Sequence, residues 1–326
     1  MRSAKMDNFR GILMILVVLG HLLELRRGSV TDYLYLLIYS FHMPLFVWIS
    51  GYFAKPADRG CVRTLLLPYL VFQLLYSAAA IFLYHTEEEL KLLEPYWLMW
   101  FLMALFLWRL LLPLLKAERL RDQGKILAVV LALSLLTGWE KELRYVLSFQ
   151  RMVALFPMFL LGYYCRGRSA QIIQWWRNGD RTERRLMVAV LVMTVLVTFA
   201  VLWLLRDDVS RRWLYWKYPY GKRGGTVLNR ATLLGFAVVC LCLFLLGVPN
   251  RRLPLLTRIG RNTLPVYLLH GFVIEFLDYF EFLKKTKHPV VLILALLGGM
   301  LLLFSSPPVT RLFRRCFGRR EEPARQ

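Results

Sequence analysis

Apolar residues in this chain are gathered into blocks of about twenty, separated by short, mostly basic stretches. A helix rises about 1.5 Å per residue, so one such block crosses the roughly 30 Å hydrocarbon core of a bilayer. With 58% hydrophobic residues, the chain has too little polar side chain to cover a soluble surface. The pattern predicts an all-α integral membrane protein of ten transmembrane helices: Gly11–Leu25, Tyr33–Ala54, Thr64–Tyr84, Pro95–Leu115, Ile126–Trp139, Tyr145–Cys165, Leu186–Leu205, Ala231–Val248, Thr263–Leu283 and Pro289–Ser305. No small-residue cleavage site follows the first block, which is read as a retained helix and not a signal peptide.

Charge orients the blocks. With the N-terminus inside, the inner segments carry 26 of the 43 Lys and Arg but only 8 of the 21 Asp and Glu. An even number of spans with both termini cytoplasmic produces this asymmetry, as the positive-inside rule requires. The net charge of +22 is thereby explained by topology, and nucleic acid is not an expected partner. The expected organisation is a single membrane domain over 1–310 and a basic cytoplasmic tail over 311–326. Five cysteines form neither a disulfide framework nor a metal-ligand set, so no metal is expected.

The first span carries the chemistry. Arg10 and His21 are eleven residues apart, about 1100° of helical rotation, so they share one face and are separated by about 16 Å of rise. Ionisable groups inside a membrane are costly and point to function. A cationic entrance joined to a titratable group suits a molecule with an anionic head, a thin arm and a reactive tip, as in acyl-CoA. Glu24, one turn after His21, would fix the imidazole tautomer and raise its basicity if it reached one ring nitrogen. His21 is then a general base toward a hydroxyl, or forms an acyl-histidine intermediate. The competing reading of His21 is an interhelix hydrogen bond.

The opening MDNFRGILMILVVLGH resembles the first helix of the acyltransferase-3 family of membrane acyltransferases, whose hallmark is Arg or Lys, ten residues, then His. SFHMPLFVWISGYF (Ser40–Phe53) resembles the family's second helix and LPVYLLH (Leu264–His270) a late-helix motif; the branch most similar contains fucose 4-O-acetylase-like proteins. The resemblance covers essentially the whole chain. It implies transfer of an acyl group, usually acetyl, from cytoplasmic acetyl-CoA or another acyl-CoA to a hydroxyl of an extracytoplasmic or lipid-linked glycan, at a cell membrane. It implies that His21 is essential and Arg10 its motif partner. The family often has Arg-x-x-Arg at the start of the third helix; here Arg59 and Arg63 are spaced by four positions, a departure from that pattern.

Other candidates follow from position. Arg59 and Arg63 suit CoA phosphates through their forked donors, or serve topology alone. His42, two residues before Pro44, and His270 are candidates for the acyl or acceptor site. Arg151 in the sixth span should face the bundle and pair with an acid, Glu140 or Glu142, or bind acceptor. The loop Asp207–Arg230 interleaves cations with Trp213, Tyr215, Trp216, Tyr218 and Tyr220, which suits sugar rings or an interfacial belt; Trp216 and Tyr218 are taken as acceptor-binding, and Gly224–Gly225 as a turn that bends the loop back over the bundle. A transporter or lipid-linked-sugar flippase is the alternative reading, but it expects two related halves with matching broken helices, which the sequence lacks, and it leaves the Arg–His stripe unexplained.

Overall fold

A computed structural model of the chain describes residues 3–85, 90–142, 145–166, 180–204, 210–221 and 225–318. Gly224 and the stretches 167–179, 205–209 and 319–326, on which parts of the expected loops and tail fall, lie outside them. Helix is the regular structure of the described residues, joined by short loops, with one isolated β-bridge between Gly221 and Gly225. The helices are α1 (Ala4–Glu24), α2 (Ser29–Phe53), α3 (Arg59–Leu83), α4 (Trp97–Leu115), α5 (Leu120–Leu136), α6 (Val146–Tyr164), α7 (Arg181–Leu204), α8 (Val227–Gly247), α9 (Pro254–Arg261), α10 (Thr263–Tyr279), α11 (Pro289–Phe304) and α12 (Pro307–Phe317).

Each of the ten expected segments contains a helix. Seven of these, α1 to α4 and α6 to α8, are long and apolar enough to cross a membrane, and the pair α11–α12, bent by 54°, makes up to eight. The helices α5 and α10 have 17 residues each, at the short end of what a crossing needs. Helix α7 identifies the solvent: its apolar stretch has a mean hydropathy of 2.7, yet none of its residues is buried. A helix apolar all round and uncovered by protein is stable only in hydrocarbon.

The core lies between α1, α2, α6 and α10. Lipid chains are as apolar as leucine, so helices associate in membranes through close packing and small residues. A Cβ on Gly51 of α2 would overlap the Phe159 carbonyl, and one on Gly162 of α6 the Trp48 carbonyl, so two glycines let these backbones touch. The amino end of α1 is pinned by polar contacts. Arg261 Nε donates to Asp7 Oδ2 at 2.9 Å, and Asp7 is fully buried. Asn8 donates to the carbonyls of Pro249 (3.0 Å) and Arg251 (2.8 Å) and accepts from Thr257 Oγ1 (2.6 Å). The Asp and Asn of the opening motif therefore fix α1 in rotation, which decides where Arg10 and His21 point.

Candidate active site

His21 opens onto a cavity of about 320 Å³ at the Glu24 end of α1. Its Nδ1 is 3.4 Å from Glu24 Oε2 and 3.0 Å from Tyr39 Oη, and Tyr39 donates to the same carboxylate oxygen at 3.3 Å. Tyr215 donates to the other oxygen, Oε1. Burial, with the Glu24 carboxylate next in effect, pushes the Tyr215 phenol above its ordinary value, so it stays a donor. With Nδ1 turned to the carboxylate and Tyr39, His21 keeps Nε2 for chemistry. A Cβ on Gly20 would stand 2.9 Å from the Tyr39 ring, so glycine there lets the phenol reach Nδ1.

The rest of the lining comes from four directions. Helix α2 supplies His42, whose Nδ1 is held at 2.7 Å by the Ile38 carbonyl, leaving Nε2 as an acceptor. Proline 44, lacking an N–H, interrupts α2 one turn from Tyr39, and His42 and Met43 beside it form cavity wall. Helix α4 brings Trp97, whose ring meets His21 edge-on at 5.0 Å, and Trp100. Helix α6 brings Arg151. The segment 214–218 folds inward, so Tyr215, Trp216 and Tyr218 line the chamber and Trp216 is buried.

Arg151 departs from expectation. It meets no carboxylate among the described residues: Nε donates to the Tyr215 carbonyl at 2.9 Å, and the guanidinium lies 5.0 Å over the Trp100 ring. Glu140 instead offers its main-chain carbonyl to Gln150. The aromatic face and the carbonyl replace the anion that a buried arginine otherwise demands. His270 does not line the chamber. It lies behind His21 with the rings tilted and their centres 5.5 Å apart, with Nδ1 on the Val266 carbonyl at 2.9 Å and Nε2 buried without a partner among the described residues.

A second cavity, about 300 Å³, opens at the other end of α1. Arg10 lines it, stacked 4.0 Å over Phe53, together with Ser50, Thr64 and Arg109. Thr64 sits in a widened, π-helical turn at Val62–Leu66 of α3, a distortion frequent at functional sites. Arg59 and Arg63 stand apart from this lining; the Arg63 guanidinium donates to the Arg315 carbonyl of α12 at 3.1 Å. Arg109, whose Nε donates to the Lys55 carbonyl at 2.8 Å, lines this cavity beside Arg10. Its signal in the sequence is an arginine inside an apolar span. Tyr267 of α10 lines both cavities and donates to the Leu98 carbonyl, so it forms the wall between the Arg10 and His21 chambers.

The sequence profile of the acyltransferase-3 family, an acyltransferase domain, matches residues 3–306. The chain belongs to the acyltransferase-3 family. This acyltransferase is similar to nodulation protein NolL of Sinorhizobium fredii, 29% identical over 321 residues covering 86% of the chain and 80% of that protein. It also matches nodulation protein NolL of Mesorhizobium japonicum, 44% identical over 61 residues, 17% of the chain and 16% of that protein. No solved structure matches the acyltransferase.

Proposed function

We propose that this membrane acyltransferase moves an acetyl group from cytoplasmic acetyl-CoA to a hydroxyl of an extracytoplasmic or lipid-linked glycan. The observation that carries this reading is the pair of chambers on one helix face: Arg10 and Arg109 line one, His21 the other, and only Tyr267 is common to both. The phosphates of CoA stay at the Arg10 mouth, where guanidinium groups match them through charge-assisted hydrogen bonds. The pantetheine arm passes Tyr267 and brings the thioester to His21.

In the chemical step, Nε2 of His21 takes the proton of the acceptor hydroxyl as its oxygen attacks the thioester carbonyl. The tetrahedral intermediate collapses with cleavage of the C–S bond. The sulfur of CoA leaves and takes up the proton from the imidazolium, so ester and free thiol are formed and His21 is regenerated. Glu24, held by two tyrosines, stabilises the transient imidazolium. Arg151, which lines the chamber with Lys217 and is held by the Tyr215 carbonyl, is placed to stabilise the oxyanion in a low-dielectric setting.

The same reading has ten crossings, both termini cytoplasmic and the cell membrane as location. Cysteine-accessibility mapping of the loops tests that topology, and labelling of the 214–218 segment from the cytoplasmic side would overturn it. The decisive experiment uses purified protein in detergent with labelled acetyl-CoA, comparing wild type with His21→Ala. Histidine-dependent thioester turnover is expected; equal turnover in both, or none with no acetyl-CoA binding, refutes the reading.

A further inference from the structure

A third cavity, about 450 Å³, adjoins the His21 chamber and shares Trp97, Arg151 and Lys217 with it. Its walls are built for a polar occupant. Ser77 of α3 and Ser148 of α6 line it; both are more than nine-tenths buried, and neither hydroxyl has a hydrogen-bond partner among the described residues. A hydroxyl that faces a cavity without a protein partner can both donate to and accept from an occupant, so two on one space point to a ligand bearing hydroxyl groups.

The walls are also held against backbone preference. Among the described residues six non-glycine residues have positive φ; two of them, Trp97 (29°) and Ser148 (52°), line this cavity, and a third, Leu147 (51°), directly precedes Ser148. Such conformations cost on the order of 1–3 kcal/mol each and persist where surrounding structure imposes them. The imposing contacts are visible. Gln73 is fully engaged, donating to the Lys91 (2.9 Å) and Glu94 (3.1 Å) carbonyls and accepting from the Tyr96 N–H (2.8 Å). The Leu147 N–H donates to the Leu93 carbonyl at 2.6 Å, tying the opposite wall to the same loop.

Charge narrows the occupant. Among the described residues, Lys91, Arg151 and Lys217 line the cavity together with the carboxylate of Glu94, which pairs with Lys91 at 4.0 Å. Arg151 and Lys217 stand at the junction with the His21 chamber. Trp97 offers a ring between the two spaces, suited to the apolar face of a sugar.

We propose that this cavity seats the acceptor, and that it takes a saccharide carrying a carboxylate or phosphate, with the anion at Arg151 and Lys217 and the sugar hydroxyls on Ser77 and Ser148. This rests on the acyl-transfer reading above and names its acceptor class.

The test uses full-length Ser77→Cys and Ser148→Cys proteins, substitutions that barely change size. Maleimide labelling is followed at each position by peptide mass spectrometry, with exposed Cys316 as the unprotected reference in the same chain. Glucuronate, glucose 1-phosphate and glucose are the probes. At least one anionic sugar is expected to slow labelling at both positions tenfold more than glucose does, leaving Cys316 unaffected. Lys217→Gln should reduce that preference to less than threefold. Equal protection by all three sugars overturns the charge assignment, and no protection by any overturns the site. Labelling does not depend on acetyl-CoA, so either negative result beside His21-dependent thioester turnover refutes the acceptor site alone. Loss of that turnover in the wild type refutes the acyl-transfer reading.

Discussion

Replacing Glu24 with glutamine removes a charge and keeps the shape. Its carboxylate is 3.4 Å from His21 Nδ1, with 28% of the side chain exposed. At an effective dielectric of about 20, a full charge pair at that distance is worth about 5 kcal/mol. A proton half transferred in the transition state realises about half of it, roughly 2–3 kcal/mol, or about a 30- to 150-fold fall in kcat. The KM for acetyl-CoA should hold, because Glu24 lies at the far end of α1 from the Arg10 chamber. Free thiol release from acetyl-CoA in the presence of acceptor measures both quantities. Combining Glu24→Gln with His21→Ala should add nothing to His21→Ala alone, since the carboxylate acts through the imidazole. A kcat within threefold of wild type, or an added loss in the double variant, would refute this role for Glu24.

Arg109→Ala should raise the KM for acetyl-CoA about tenfold, as loss of one charge-assisted hydrogen bond does, with Arg59→Ala changing it less; equal effects of both would count against the Arg10 chamber as the CoA mouth. Tyr267→Ala should remove the wall between the chambers and increase acceptor-independent hydrolysis of acetyl-CoA several-fold, measured as thiol release without glycan. Gly20→Ala forces the Tyr39 ring away from His21 Nδ1 and should lower kcat about tenfold while leaving the thermal midpoint in detergent nearly unchanged. Gly162→Val, by contrast, drives a side chain into the Trp48 carbonyl and should cost at least about 1–3 kcal/mol of stability, read as a lowered thermal midpoint.

The arrangement gives the opening motif a division of labour. Asp7 and Asn8 are engaged by Arg261, Thr257 and main-chain carbonyls, and set the rotation of α1. Arg10 and His21 face cavities. Gly20 is small for the benefit of Tyr39, a residue on another helix. In the proposed function, side chains that look like one motif along the chain thus serve anchoring, access and chemistry separately.

What the sequence by itself determined is local and periodic. Block length fixed the helices, because 1.5 Å per residue against a hydrocarbon slab leaves little choice. Helical rotation fixed that Arg10 and His21 share a face, and proximity of one turn made Glu24 a neighbour of His21. The tertiary structure decided everything that depends on which helices meet. Tyr39 and Tyr215 reach Glu24 from α2 and from the 214–218 segment, 15 and 191 residues away along the chain. Arg109 and not Arg59 or Arg63 joins Arg10 at the second chamber, because the first turns of α3 present Thr64 and Leu65 to it while Arg63 reaches the Arg315 carbonyl. Arg151 found a carbonyl and a tryptophan face in place of an acid, and His270 came to rest behind His21 and not in the chamber. Apolar spans are nearly uniform in composition, so their pattern states that each is buried in something. Which neighbour, and with which face, is set by close contacts such as Gly51 on Phe159 and Gly162 on Trp48, and these exist only once the bundle is assembled.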